Sequence, residues 1–284
     1  MLAYRHAYHA GNHADVLKHL VLVQVLRHMA EKEKPYTLVD THAGAGGYAL
    51  GGRYPQKKSE YRTGIGALWD RHDTPAAVAD YLALVREFNG GGQLEQYPGS
   101  PGLAQMLLRA DDRLRLYELH PTDERILQAF LGRRPHTKVT MADGFDAIKG
   151  ELPPPSRRGV LLMDPSYELK SDYKRVLGAV REALQRFPEA VVLVWLPQLQ
   201  LLESAELPQR LEHAADAAAP RGWLHARLTV QRADERGFGL IGSSMVVLNP
   251  PFKLHATLAA VLPWLTDALG QYDGAHFLLE QRAA

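Results

Sequence analysis

The sequence contains no cysteine. Disulfides, thiolate metal sites and cysteine nucleophiles are therefore excluded, and the composition suits a reducing compartment, the cytoplasm by default. No apolar run approaches the roughly 20 residues that a membrane-spanning helix needs. The first residues, MLAYRHAYHAGNHADV, carry histidines where a secretory signal would carry an apolar core. Neither sign of charge is in surplus: 33 Lys plus Arg face 32 Asp plus Glu, a balance that neither supports nor excludes a polyanionic partner. The pair His9 and His13 has a spacing compatible with zinc, but no third ligand is evident, so no metal is expected. A soluble monomer independent of membranes is the expectation.

What is present is an alternation. Asn12 reads as a helix N-cap with Asp15 in the first turn, and Leu17, Val21, Val25 and Met29 recur at four-residue spacing up to Lys34-Pro35. Seven strand-like runs follow, YTLVD, LRLYEL, KVTMAD, GVLLMD, AVVLVW, LHARLTVQ and MVVLN, with amphipathic stretches between most of them. Such alternation specifies βαβ units, an α/β fold and a largely parallel sheet. The rhythm breaks between Thr41 and Ser100, where a connection of roughly 2–6 residues would do. That interval predicts an inserted helical subdomain over 51–97, with a helix from Pro75 to Phe88 and the cations Arg53, Lys57, Lys58 and Arg62. The expected organisation is a flexible tail over 1–12, a main domain over 13–50 and 98–284, and the insertion.

The strand ends carry the chemistry. The first runs into DTHAGAGGY, whose small residues, Gly44 among them, let a ligand approach the backbone. The next ends in YELH, placing Glu118 where a carboxylate can accept both hydroxyls of a ribose. The third ends in MADG, with Asp143 placed to accept from an adenine amino group and Gly144 presenting bare backbone. The fourth ends in Asp164-Pro165-Ser166-Tyr167. Each acid alone is an ordinary strand-end residue, and the glycine loop alone would serve dinucleotides equally well. Glycine loop, acid, acid and DPSY on four successive strands form a much rarer pattern.

This series resembles the Rossmann-like, class I S-adenosylmethionine-dependent amino-group methyltransferases, whose fourth strand ends in Asp/Asn-Pro-Pro-aromatic; Ser166 departs from that pattern. Together with YRHAYHAGNHADVLKH, DTHAGAGGY, YPGSPGLA and NPPF, it looks like a narrower family, the bacterial 23S ribosomal RNA adenine-N6 methyltransferases. The resemblance spans nearly the whole chain. It implies a seven-stranded, mostly parallel sheet, S-adenosylmethionine as cofactor and ribosomal RNA as partner. It also implies that His19, His42 and Ser100 contact the cofactor.

Asp164 and the Pro165 carbonyl would accept hydrogen bonds from the adenine amino group and sharpen a delocalised lone pair, and Tyr167 would stack on a base swung out of its helix. Tyr4 and His6, from the tail, would close over the RNA, and Lys18 would face the cofactor or the target nucleotide. Asn249-Pro250-Pro251-Phe252 fits the amino-methyltransferase signature letter for letter but follows the wrong strand, and is read as a strand stop. Three rivals remain. A DNA adenine methyltransferase would need a recognition domain larger than the insertion. A nicotinamide-dependent enzyme would need its ribose acid about 20 residues after the glycine loop. A silent RNA-binding protein of the same fold would have Ser166 as its lesion.

Overall fold

The computed structural model describes residues 9–51, 60–236 and 239–283. Helix α1 (His13–Ala30) starts where Asn12 caps it, its side-chain oxygen accepting from the amides of Ala14 and Asp15 at 3.0 Å each. Its far end is closed by two arginines from elsewhere in the chain. Arg109 donates to the carbonyls of Ala30 and Lys32, and Arg158 to those of Met29 and Lys34. Orphan carbonyls at a helix terminus are thereby satisfied in a place where glycine is absent. Apolar residues surround α1 because it is a buried helix, packed on a central sheet strand on one side and on helices on the other.

The main sheet is built from β1 (Thr37–Asp40), β4 (Arg113–Tyr117), β5 (Thr137–Thr140), β6 (Gly159–Met163), β7 (Val191–Gln198), β8 (Trp223–Thr229), β9 (Gly242–Leu248) and β10 (His276–Arg282), in the spatial order β10-β8-β9-β7-β6-β1-β4-β5. The five strands from β7 to β5 in that order are parallel, and β9, β8 and β10 complete the sheet in antiparallel pairs. Every residue of β6 and β9 is buried. Because neighbouring residues on a strand face opposite sides, both faces of the sheet must be covered there.

All seven predicted strands form. The sheet nonetheless has eight strands where seven were expected, because β10 pairs with β8 along the outer edge. That strand is mostly exposed and polar, so it has no apolar run to announce it.

Between β1 and β4 lies the insertion. A short antiparallel ribbon of β2 (Gly47–Ala49) and β3 (Gln96–Pro98) ties off its two ends. Within it are a 3-10 turn at Glu60–Thr63, the short α2 (Ile65–Leu68) and α3 (Ala76–Phe88), which packs on α1. Of the predicted cations, Arg53, Lys57 and Lys58 lie outside the described residues, and Arg62 is exposed. Of the predicted tail, residues 9–12 are described; Ala10 and Asn12 are buried, and His9 bonds to Glu60 of the insertion at 2.8 Å.

The remaining helices are α4 (Ser100–Leu107), α5 (Pro121–Leu131), α6 (Gly144–Glu151), α7 (Lys170–Arg186), α8 (Leu202–Ala218) and α9 (Leu254–Leu269). Since β9 runs antiparallel to β7, with Leu248 opposite Val192, the NPPF segment emerges at the amino ends of the parallel strands, away from Asp164. Asn249 is fully buried there and donates to the carbonyls of Pro188 and Ala190, a tie between loops.

Candidate active site

The chain leaves β1 toward β4 and β5 on one side, then returns to place β6 on the other. Such a reversal opens a crevice at the carboxyl ends of the strands. A cavity of about 260 Å³ lies there, and its wall includes the ends of β4 and β6, the loops after β1 and β5, and one side of α1. His19, His42, Gly44, Ser100, Glu118, Asp143, Gly144, Asp164 and Pro165, chosen from the sequence, all line it, as does Lys18. Tyr4 and His6 lie outside the described residues.

The electrostatic centre is one ammonium among carboxylates. Lys18 is buried; its Nζ lies 2.8 Å from Asp15 Oδ1 and also contacts Asp164 Oδ2. Burial opposes the charge on Lys18, but the fields and hydrogen bonds of Asp15 and Asp164 outweigh it and raise its pKa. The Trp195 ring lies beneath the ammonium, 5.6 Å from it to the centroid. Nearby, Asp40 at the tip of β1 accepts from Ser100 Oγ at 2.6 Å and from the His42 amide at 3.2 Å. Complete burial still pushes its pKa up to about 7.

The glycine loop is held from the next strand. Glu118 accepts from the Gly44 amide at 2.8 Å and the His120 amide at 2.6 Å, one bond on each carboxylate oxygen. Burial raises its pKa against those bonds. Thr41 donates its hydroxyl proton to the Leu162 carbonyl, so in its 2.7 Å contact with His42 the Nδ1–H must be the donor. His42 Nε2 is thereby left as an acceptor. Asp143 caps α6 by accepting from the Phe145 amide at 3.0 Å, and its other oxygen meets Arg175 at 2.6 Å. Glycine at 144 is obligatory: a Cβ there would lie 1.9 Å from the Thr41 carbonyl oxygen.

One placement corrects the sequence reading. Tyr167, predicted to stack on the target base, does not line the cavity. Its backbone is left-handed at φ 54°, which turns the ring down onto Tyr173 and Trp195, and its hydroxyl donates to the Trp195 carbonyl at 2.7 Å. Lys18 lines the cavity with its charge paired to Asp15 and Asp164. His19 bonds through Nδ1 to the Tyr97 hydroxyl at 2.7 Å, which in turn meets Tyr81 at 2.7 Å, an anchor in the insertion that no local pattern disclosed. Phe145 and Arg175 also line the cavity and were not singled out, one being an ordinary apolar helix residue and the other a surface cation on α7. A further group of possible metal ligands, Glu212, His225 and Glu280, lies on α8, β8 and β10. There His225 already bonds to Glu212 and Ser244 at 3.0 and 3.1 Å.

These burials set a pH dependence. His13 and His42 are pushed down from 6.5 to about 4 by burial, so below pH 6.5 the unfolded chain takes up protons that the folded chain refuses, and stability falls with acid. Asp40 acts oppositely: between 3.8 and about 7 only the folded form holds its proton, and stability falls as pH rises. At about 1.4 kcal/mol per pH unit and group, two against one, their combined contribution should climb from pH 4 to 6.5 and dip above it. Denaturant unfolding of Asp40→Asn across this range should show a steeper acid limb and no dip. A limb that keeps its wild-type slope would remove Asp40 from the balance.

A parallel sheet reversing at a glycine loop, with acids at successive strand ends and Asp-Pro beside the cavity, defines a Rossmann-like methyltransferase. The profile of the family described as "Ribosomal RNA large subunit methyltransferase D, RlmJ" matches residues 33–279, and the chain belongs to that family. It is 42% identical over 269 residues to ribosomal RNA large subunit methyltransferase J of Escherichia coli K12, covering 95% of this chain and 94% of that protein. The protein of the same name from Haemophilus influenzae is also 42% identical, over 270 residues and with the same coverage. A crystal structure of a Legionella pneumophila protein superposes with a TM-score of 0.86 at 31% identity, covering 96% of this chain and 98% of that one.

Proposed function

We propose that the protein transfers a methyl group from S-adenosylmethionine to the exocyclic N6 of an adenine in 23S ribosomal RNA, acting as a monomer in the cytoplasm. The observation that carries this reading is the convergence of Asp164-Pro165 with Glu118, Asp143 and Gly144 on one cavity. Family membership supplies the ribosomal substrate.

The wall fits the cofactor. Glu118 uses one lone pair on each oxygen for backbone amides, leaving acceptor capacity on both for a pair of ribose hydroxyls. Phe145 offers an aromatic face beside Asp143 for a purine, and the start of α4 at Ser100 offers amides to a carboxylate. Bound there, S-adenosylmethionine supplies an electrophilic methyl sulfonium. The Asp164 carboxylate and Pro165 carbonyl then orient the target amino group by accepting its protons, which aims the nitrogen lone pair. Lys18 holds Asp164 through Oδ2 and balances its charge. As the nitrogen becomes positive it releases a proton to Asp164, or to water through it. Tyr4 and His6 are assigned to the RNA.

Transfer of label from tritiated S-adenosylmethionine to 23S RNA, followed by mapping of the modified base, tests this directly. Label at N6 of one adenine is expected; preference for DNA, or no transfer, overturns the proposal. Glu118→Ala should weaken S-adenosylhomocysteine by roughly 1.5–3 kcal/mol, the loss of charge-assisted acceptors. Calorimetric titration reads that loss, and equal affinity in the variant would place the ribose elsewhere.

A further inference from the structure

We infer that Arg175 is a positioning residue of the cofactor site, holding the wall against which the adenine ring of the cofactor rests. The inference rests on the function proposed above and extends the site onto α7, the helix that follows the Asp-Pro-Ser-Tyr turn.

Three observations converge on this side chain. Its guanidinium donates to Asp143 Oδ2 at 2.6 Å. It lies over the Phe145 ring, 4.4 Å from the centroid. His42 meets the same ring in a T-shaped contact, with centroids 4.8 Å apart. Asp143, Phe145, His42 and Arg175 all line the cavity. One planar cation therefore fixes both the carboxylate assigned to the adenine amino group and the aromatic face assigned to its ring. Asp143 Oδ1 is committed to the Phe145 amide, so the two restraints together fix the carboxylate plane. A guanidinium does this better than an ammonium, since it donates in its plane while stacking through its face.

The arrangement has little value for folding. The Arg175 side chain is 40% exposed and that of Asp143 26%. Exposed pairs of this kind contribute little to stability. A residue so placed for ligand geometry should show itself in cofactor affinity rather than in melting.

The test is calorimetric titration of wild type, Arg175→Ala and Arg175→Lys with S-adenosylhomocysteine and with 5′-methylthioadenosine, which keeps the nucleoside but lacks the amino-acid end. Arg175→Ala should weaken both ligands by a similar factor, roughly tenfold or 1.4 kcal/mol. Arg175→Lys should fall between alanine and wild type, because it keeps charge and loses the plane. The melting temperature should not move, and in assays the KM for S-adenosylmethionine should rise while kcat at saturation stays near wild type. Unchanged affinity for both ligands, with the KM for RNA raised instead, would overturn the inference and assign Arg175 to phosphate. A lower melting temperature with unchanged ligand affinity would make it merely structural. Failure of the wild type itself to bind S-adenosylhomocysteine would sink the proposed function and this inference together.

Discussion

Lys18→Met is expected to destabilise the protein by about 3–5 kcal/mol, the usual cost of leaving buried charge without its partner. The ammonium is enclosed between Asp15 and Asp164, and Asp15 is itself buried while accepting from the Gly11 amide at 2.8 Å. Removing the cation leaves two carboxylates facing each other across an apolar replacement. Adding Asp15→Asn should restore much of the lost stability by removing one of those charges. Activity should not return with it, since Asp164 would still lack the group that orients it. Denaturant midpoints of the single and double variants measure the first effect, and label transfer measures the second. A single variant as stable as wild type would mean the triad is energetically idle.

Asp164→Ala should reduce methyl transfer at least about a hundredfold, the scale seen when one preorganised polar contact to a reacting centre is removed. Affinity for S-adenosylhomocysteine should stay within roughly tenfold, or 1.4 kcal/mol, because the acceptor nitrogen is where this carboxylate works. Asp164→Asn divides the role further. Asparagine keeps a carbonyl oxygen for the amino group but cannot take a proton or balance Lys18. Partial activity in Asp164→Asn would show that orientation dominates, and activity as low as in Asp164→Ala would show that the charge does. Full activity in both would remove Asp164 from the chemistry.

The sequence disclosed most of the frame because its strands announce themselves. GVLLM and VVLVW are continuous apolar runs, and their ends fall where chemistry collects, so Glu118, Asp143 and Asp164 were placed from local text. What local text could not supply were partners. That Lys18 meets Asp164 depends on α1 packing against β9 and β7, which brings it to the end of β6 in a contact across 146 positions. That Tyr167 turns inward depends on a backbone angle permitted by the turn and rewarded by Trp195. Arg175 reads as a surface cation on an amphipathic helix until α6 and α7 are seen side by side. The edge strand β10 was missed because exposure removes the apolar signature on which strand assignment relies.

The burial of α1 also bears on how the chain matures. This helix is made long before the strand against which it packs, β9 (Gly242–Leu248). Until that strand is made, an apolar helix waits without much of its sheet-side surface, and non-local contacts of this kind form slowly and leave sticky intermediates exposed. The Lys18–Asp164 contact sits on the same helix. A nascent chain, or one cut before β9, should therefore be a chaperone client without enzymatic activity, and competence should appear only after β9 has been made.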